Sequence, residues 1–125
     1  VLAGLVDEAK ALKLGSGLDE TVDVGPLVNE QAVQKVLGYI EVGRAEGELV
    51  TGGERSTEGD LAHGHFFAPT IFAGVAPMSR IAQEEIFGPV LSVIPVDGYD
   101  AAVAAANSVR YGLSASIFTR DVNRA

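Results

Sequence analysis

The stretch from Val90 to Thr119 constrains the fold more than any other part of the chain. "VLSVIPV" (Val90 to Val96) is apolar without alternation, the pattern of a strand covered on both faces. In "DGYDAAVAAANSVRYG", Asp100 can cap an alanine-rich helix running through Asn107, and Gly112 then releases the chain into "LSASIFT". There Leu113, Ala115 and Ile117 alternate with Ser114, Ser116 and Phe118, the period of two that marks a strand. Strand, helix and strand in succession predict a parallel pair joined by a right-handed crossover. The expected class is therefore α/β, a three-layer sandwich with a mostly parallel sheet, containing Val90 to Val96 beside Leu113 to Thr119.

The upstream half supplies the layers that such a sheet needs. Leu2, Leu5, Val6, Ala9 and Leu12 recur at helical spacing, with Asp7, Glu8 and Lys10 on the solvated face, and Gly15 suits a C-cap. A loop follows to the Gly25-Pro26 turn. Asn29 is a good N-cap for a second helix ending near Gly43 or Gly47, in which Val33, Val36, Leu37 and Ile40 draw an apolar stripe that must be covered. "ELVTGG" predicts a short strand with a turn, and "ERSTEGDLAHG" a polar loop. "FFAPTIFA" is strand-like, with Pro69 pushing it to an edge or a bend. The first helix opens on Val1 with no capping residue, and Asp121 can cap a helix cut short after one turn. Both ends are expected to be edges of a longer chain.

Composition narrows the partners. At 125 residues one core is feasible, and 47% hydrophobic residues suit a folded, globular piece rather than a disordered one. Seventeen acids against nine bases give a net charge of −8, the wrong sign for a surface that must neutralise nucleic-acid phosphates or sit on an anionic membrane. No apolar run approaches the roughly 18 residues needed to span a bilayer. With no visible leader, the cytoplasm is the default expectation. The absence of cysteine removes disulfides, thiolate metal sites and any cysteine nucleophile within these residues.

Few residues suggest chemistry. In "LGSGLDE", Gly15 and Gly17 follow a helix and Glu20 stands where a dinucleotide fingerprint needs its third glycine, so a turn is expected. His63 and His65 of "HGH" lack a nearby third ligand, and no metal site is expected. Tyr39, Tyr99 and Tyr111 stand singly, as packing or surface residues do. "QEEIFGPV" (Gln83 to Val90) differs. A carboxylate of Glu84 or Glu85 can accept from both hydroxyls of a vicinal diol, and Phe87 offers a flat apolar wall. Gly88 permits close backbone approach and Pro89 sets the start of the next strand. From the residues alone, a diol-binding site and a solvated or helix-paired acid cluster both stand, and the second is the more frequent outcome.

The order of "GPLV", "LGYIEVGRAEG", "LVTGG", "FFAPTIF", "RIAQEEIFGPVLSV" and "YGLSASIFT" resembles the aldehyde dehydrogenase superfamily over essentially the whole chain. The resemblance implies a partial catalytic domain of an NAD- or NADP-dependent enzyme. In that family a cysteine thiolate attacks the aldehyde, hydride passes to the cofactor, and a glutamate activates water to hydrolyse the thioester. The second glutamate of the motif binds the nicotinamide-ribose hydroxyls and the phenylalanine lines the same end of the cofactor, which assigns cofactor-binding roles to Glu85 and Phe87. Glu84 is expected to point away from it.

The same resemblance places the nucleophile, the water-activating glutamate, the oxyanion asparagine and the cofactor-binding domain before Val1, and the C-terminal segments after Ala125. Residues 1–125 are thus expected to be inactive alone, to carry no catalytic residue, and to belong to a homo-oligomer acting on a small aldehyde. "GYIEVGRAEG" and "SVIPVDGYDAA" lean towards semialdehyde-oxidising branches. The rival expectation is a non-enzymatic α/β interaction module that keeps the family scaffold.

Overall fold

A computed structural model of the chain describes residues 1–121 and 123. In chain order, the described residues form α1 (Leu2–Ala11), α2 (Glu30–Glu46), β1 (Glu48–Thr51), a 3-10 turn (Gly59–His63), β2 (Thr70–Ala73), α3 (Arg80–Gln83), β3 (Val90–Ser92) and α4 (Tyr99–Ala106). Helix α2 forms as its sequence dictates. Asn29 Oδ1 accepts from the Ala32 N–H at 2.9 Å, which satisfies one of the free donors of the first turn. The helix ends at Glu46, where the Gly47 N–H bonds the Gly43 carbonyl at 2.9 Å.

The predicted stripe points inward. Val33, Val36 and Ile40 are at most 1% exposed, Leu37 is partly buried, and together they cover Phe67, Phe72 and Val75. Each fully buried side chain of this kind contributes roughly 1.5–3 kcal/mol. Phe72 turns towards α2, whereas its neighbour Ile71 lines the groove beneath α1, since successive residues of a strand face opposite ways. Helix, sheet and helix make the three layers expected of the α/β class.

The sheet itself departs from expectation. Its order is β1-β2-β3, with β1 and β2 antiparallel (Leu49 opposite Phe72) and β2 and β3 parallel (Ile71 opposite Leu91), so it is mixed rather than mostly parallel. The strand buried on both faces is Thr70–Ala73, not the run beginning at Val90. Pro69 does not demote β2 to an edge because it lies one residue before the ladder. The first bond is donated by Thr70 N to Pro89 O at 2.8 Å, so the missing proline N–H costs nothing. Conversely, β3 is an edge strand that stops at Ser92, and Leu91 is 44% exposed.

Leu113 to Thr119 is not a strand. A strand exists only where a neighbour supplies carbonyls and N–H groups, and among the described residues none does; the segment is exposed throughout, with Leu113 at 101% and Phe118 at 96%. The parallel crossover is built one unit earlier, from β2 through α3 to β3. Helix α4 starts from Gly98 at φ 87°, with Asp100 inside the first turn rather than at the cap, where its charge still suits the helix N-terminus. Asp121 Oδ1 accepts from the Asn123 N–H at 3.0 Å, and the helix expected beyond it lies outside the described residues. No helix of the described residues is long and apolar enough to cross a membrane.

The contact between α2 and β2 gives a stability test. A Cβ on Gly43 would lie 2.5 Å from Phe72 Cζ. Alanine recovers up to about 1 kcal/mol of helix propensity, but overpacking costs about 1–3 kcal/mol. Gly43→Ala should therefore lower the urea midpoint; an unchanged or higher midpoint would show that the Phe72 ring swings aside freely.

Candidate functional site

The "QEEIFGPV" segment is held from one side by α2. Helix α3 is only one turn long, and the side chain of its N-cap residue, Ser79, makes no capping bond. The first turn is satisfied instead by the Glu46 carboxylate at the end of α2, which accepts from Arg80 N at 3.1 Å and from Ile81 N at 3.0 Å. Glu84 then closes the turn, its N–H bonding the Arg80 carbonyl at 2.8 Å.

The two acids part company here. Glu84 accepts from Arg80 Nε at 3.1 Å, from Arg80 Nη2 at 3.0 Å and from the Tyr39 hydroxyl at 2.8 Å. The Arg80 bonds, then the Tyr39 bond, hold its carboxyl at about 2, well below the ordinary 4.5. The hydrogen bond to Glu84 in turn raises the Tyr39 phenol. Glu85 has no such partner. Its side chain is exposed and makes no hydrogen bond or ion pair among the described residues, while its backbone carbonyl accepts from Lys35 Nζ at 2.8 Å.

Beyond Glu85 the chain is forced outward. Ile86 is 8% exposed and joins the core, and Gly88 lies so close to α2 that a Cβ there would meet Val36 Cγ2 at 2.5 Å. Phe87, caught between them, adopts φ 58°, and its ring is 75% exposed. A left-handed conformation at a bulky residue costs on the order of 1–3 kcal/mol and persists only where neighbours over-determine it. The two predicted site residues thus share one loop but line different depressions. Glu85 faces a polar hollow of about 440 Å³ with Tyr39, Glu84 and Arg110, and Phe87 an apolar cleft of about 570 Å³ with Pro26, Val28 and Pro89.

The other motifs settle as structure. Around "LGSGLDE", Asp19 Oδ1 accepts from Thr21 N at 2.9 Å and from its hydroxyl at 2.8 Å, a side-chain-closed turn. Glu30 Oε2 accepts from Arg55 Nη1 at 2.9 Å and lies 3.4 Å from His65 Nδ1, tying the loop that carries His63 and His65 to the start of α2. Among the described residues no three His, Cys, Asp or Glu side chains gather as metal ligands. In the sequence Tyr39 reads as a packing or surface residue, and Lys35 and Glu46 carry no signal that singles them out. The i, i+4 spacings of Lys35 with Tyr39 and of Arg80 with Glu84 were legible, but their meeting across two elements was not.

Comparison with known proteins places these observations in a family context. A profile described as the aldehyde dehydrogenase family matches residues 1–125. The chain is 47% identical over 121 residues to an alpha-ketoglutarate semialdehyde dehydrogenase of Haloferax volcanii, covering 96% of this chain and 25% of that protein. It is 43% identical over 122 residues to a betaine aldehyde dehydrogenase of Mesorhizobium japonicum, covering 97% and 25%. Among solved structures, a 1-pyrroline-5-carboxylate dehydrogenase from Thermus with bound NAD superposes with a TM-score of 0.89 at 46% identity, covering 99% of this chain and 23% of that one. A betaine aldehyde dehydrogenase from Staphylococcus aureus in complex with NAD+ gives 0.93 at 34% identity, covering 99% and 25%. The chain spans about a quarter of the length of the relatives it matches.

The Glu84 cluster has a defined pH window. Its carboxyl value is depressed in the fold, so its contribution is complete above the ordinary 4.5 and fades as pH falls towards about 2. The Tyr39 phenol is raised, so its contribution is complete below the ordinary 10.0 and is lost only as pH rises through the raised value. Carbon-13 NMR titration should find Glu84 among the last glutamates to protonate on acidification, and Arg80→Ala should move it up towards 4.5. Titration of Glu84 together with the bulk of the glutamates would contradict the geometry.

Proposed function

This chain belongs to the aldehyde dehydrogenase family, and on that premise we propose that it is a partial catalytic domain contributing the nicotinamide-ribose contact to an NAD- or NADP-dependent enzyme that oxidises an aldehyde to a carboxylic acid. The observation that carries this is the division of labour between the paired acids. Glu84 spends its acceptor oxygens on Arg80 and Tyr39, whereas the exposed Glu85 carboxylate has no hydrogen-bond partner among the described residues. A free carboxylate can accept from two adjacent hydroxyls at once, which is the donor pattern of a ribose. Phe87 adds an exposed ring on the same loop, held out by a strained backbone.

The residues fit the group they are proposed to hold. When bound, the nicotinamide would supply a hydride acceptor. Glu85 would fix the ribose and Phe87 would shield an apolar face, so that the ring's position is set by this chain and water is excluded on one side. Neither residue moves a proton or attacks the substrate. The nucleophile and the rest of the cofactor site are assigned to segments outside residues 1–125. The similarity to the Haloferax semialdehyde enzyme, with "GYIEVGRAEG", supports a semialdehyde substrate.

Three outcomes test this function. The chain alone, lacking any thiol nucleophile, should reduce no NAD or NADP with any aldehyde. Its exposed Leu113, Ile117 and Phe118 should also make it sediment as more than a monomer. Turnover that survives repurification would overturn the fragment assignment. In the complete enzyme, Glu85→Gln exchanges one acceptor for a donor. Hydrogen bonds to a charged acceptor are worth about 1.5–3 kcal/mol, so cofactor affinity should fall by roughly ten- to a hundredfold and hydride transfer should slow with it. Glu41→Gln, an exposed acid on α2, is the control. Equal effects of the two substitutions would remove Glu85 from the site.

A further inference from the structure

We infer that Tyr39 is a positioning residue for the cofactor, acting through Glu84 and the backbone of Glu85 rather than by touching the ligand. Two cations lie over its ring, Lys35 Nζ at 5.9 Å and the Arg80 guanidinium at 5.8 Å from the centroid. Each cation holds a different part of the paired acids. Arg80 grips the Glu84 side chain through two nitrogens, and Lys35 grips the Glu85 carbonyl. The Tyr39 hydroxyl completes the arrangement by bonding Glu84 Oε2 in a partly buried position.

The consequence is a fixed backbone on both sides of Glu85. The residue before it is tied at its side chain, its own carbonyl is tied to α2, and the residue after it is anchored in the core. Only side-chain rotations remain free, which reduces the freedom to be lost when two hydroxyls bind the Glu85 carboxylate at once. Removing the Tyr39 hydroxyl leaves Arg80 as the one hydrogen-bond partner of the Glu84 carboxylate among the described residues, an exposed pair that does not fix a geometry as a three-membered network does. Glu84 then loosens, and Glu85 with it.

This inference rests on Glu85 contacting the nicotinamide ribose, and the experiment separates the two. In the complete enzyme, NAD affinity is measured by calorimetry for the parent, Tyr39→Phe, Glu85→Gln and the double variant, with hydride-transfer rates and melting temperatures alongside. Tyr39→Phe should weaken NAD binding roughly three- to tenfold, the effect of one hydrogen bond, and should have no further effect once Glu85 is already glutamine. The same loss in both backgrounds would show that Tyr39 acts independently of Glu85 and would overturn the inference. A lowered melting temperature with unchanged NAD affinity would reduce Tyr39 to a stabilising role and overturn it equally. If Glu85→Gln itself leaves NAD affinity unchanged, the ribose assignment fails first and the positioning role falls with it. Should Tyr39→Phe not accumulate as folded enzyme, Arg80→Gln, on the exposed side of the same carboxylate, carries the same cycle with the same expected non-additivity.

Discussion

Everything else in the structure hangs from the packing of helix α2 across strand β2. Phe72 is fully buried against a helix that carries glycine at position 43, and that close approach sets the height of the helix above the sheet. Val33, Val36 and Ile40 then reach the sheet in low-lying positions, and interiors packed this densely admit little displacement. The position of α2 is therefore a fixed coordinate from which other parts can be hung.

What hangs from it is the loop of paired acids. Lys35 and Tyr39, one turn apart on α2, and Glu46, two turns further along, meet the Glu85 carbonyl, the Glu84 carboxylate and the first N–H groups of α3. A helix of one turn has little stability of its own, because nucleation fixes several residues for a single bond. Its persistence depends on a cap supplied from a distant element and on Ile81 and Ile86 joining the core. The exposed Glu85 and Phe87 side chains are thus presented by a scaffold in which almost every adjoining group is tied. Rigid support behind an exposed acceptor is what a site needs if a ligand is to be held within a fraction of an ångström.

The electrostatics follow the same division. In a chain with a net charge of −8, the acids around the site cannot be treated as interchangeable. Glu46 sits against free helix N–H groups, Glu84 against a guanidinium and a phenol, and Glu85 against solvent. Pairing the first two leaves the third as the acid of this loop with no side-chain partner among the described residues. The strain at Phe87 belongs to this arrangement too, since Ile86 is drawn into the core and Gly88 against α2, and the ring of the residue between them turns outward.

Elements whose signals are local can be read directly from the residues. The cap at Asn29, the stripe of α2, the turn in "LGSGLDE" and the α/β class all follow from side-chain periodicity and local turn chemistry, and the quoted motifs carried the family resemblance and with it Glu85 and Phe87 as candidates. Strand pairing, by contrast, is fixed by contacts in space. "TIFA" became the central strand because Pro69 falls just outside the ladder, "VLS" became an edge, and Leu113 to Thr119 formed no strand among the described residues because alternation supplies a face but not a partner. The Arg80–Glu84 spacing is local, but nothing in "EE" says which carboxylate meets Tyr39. That choice depends on contacts between residues 45 positions apart in sequence, and the physical reason is that a hydrogen bond is made by position in space, which periodicity along the chain does not encode.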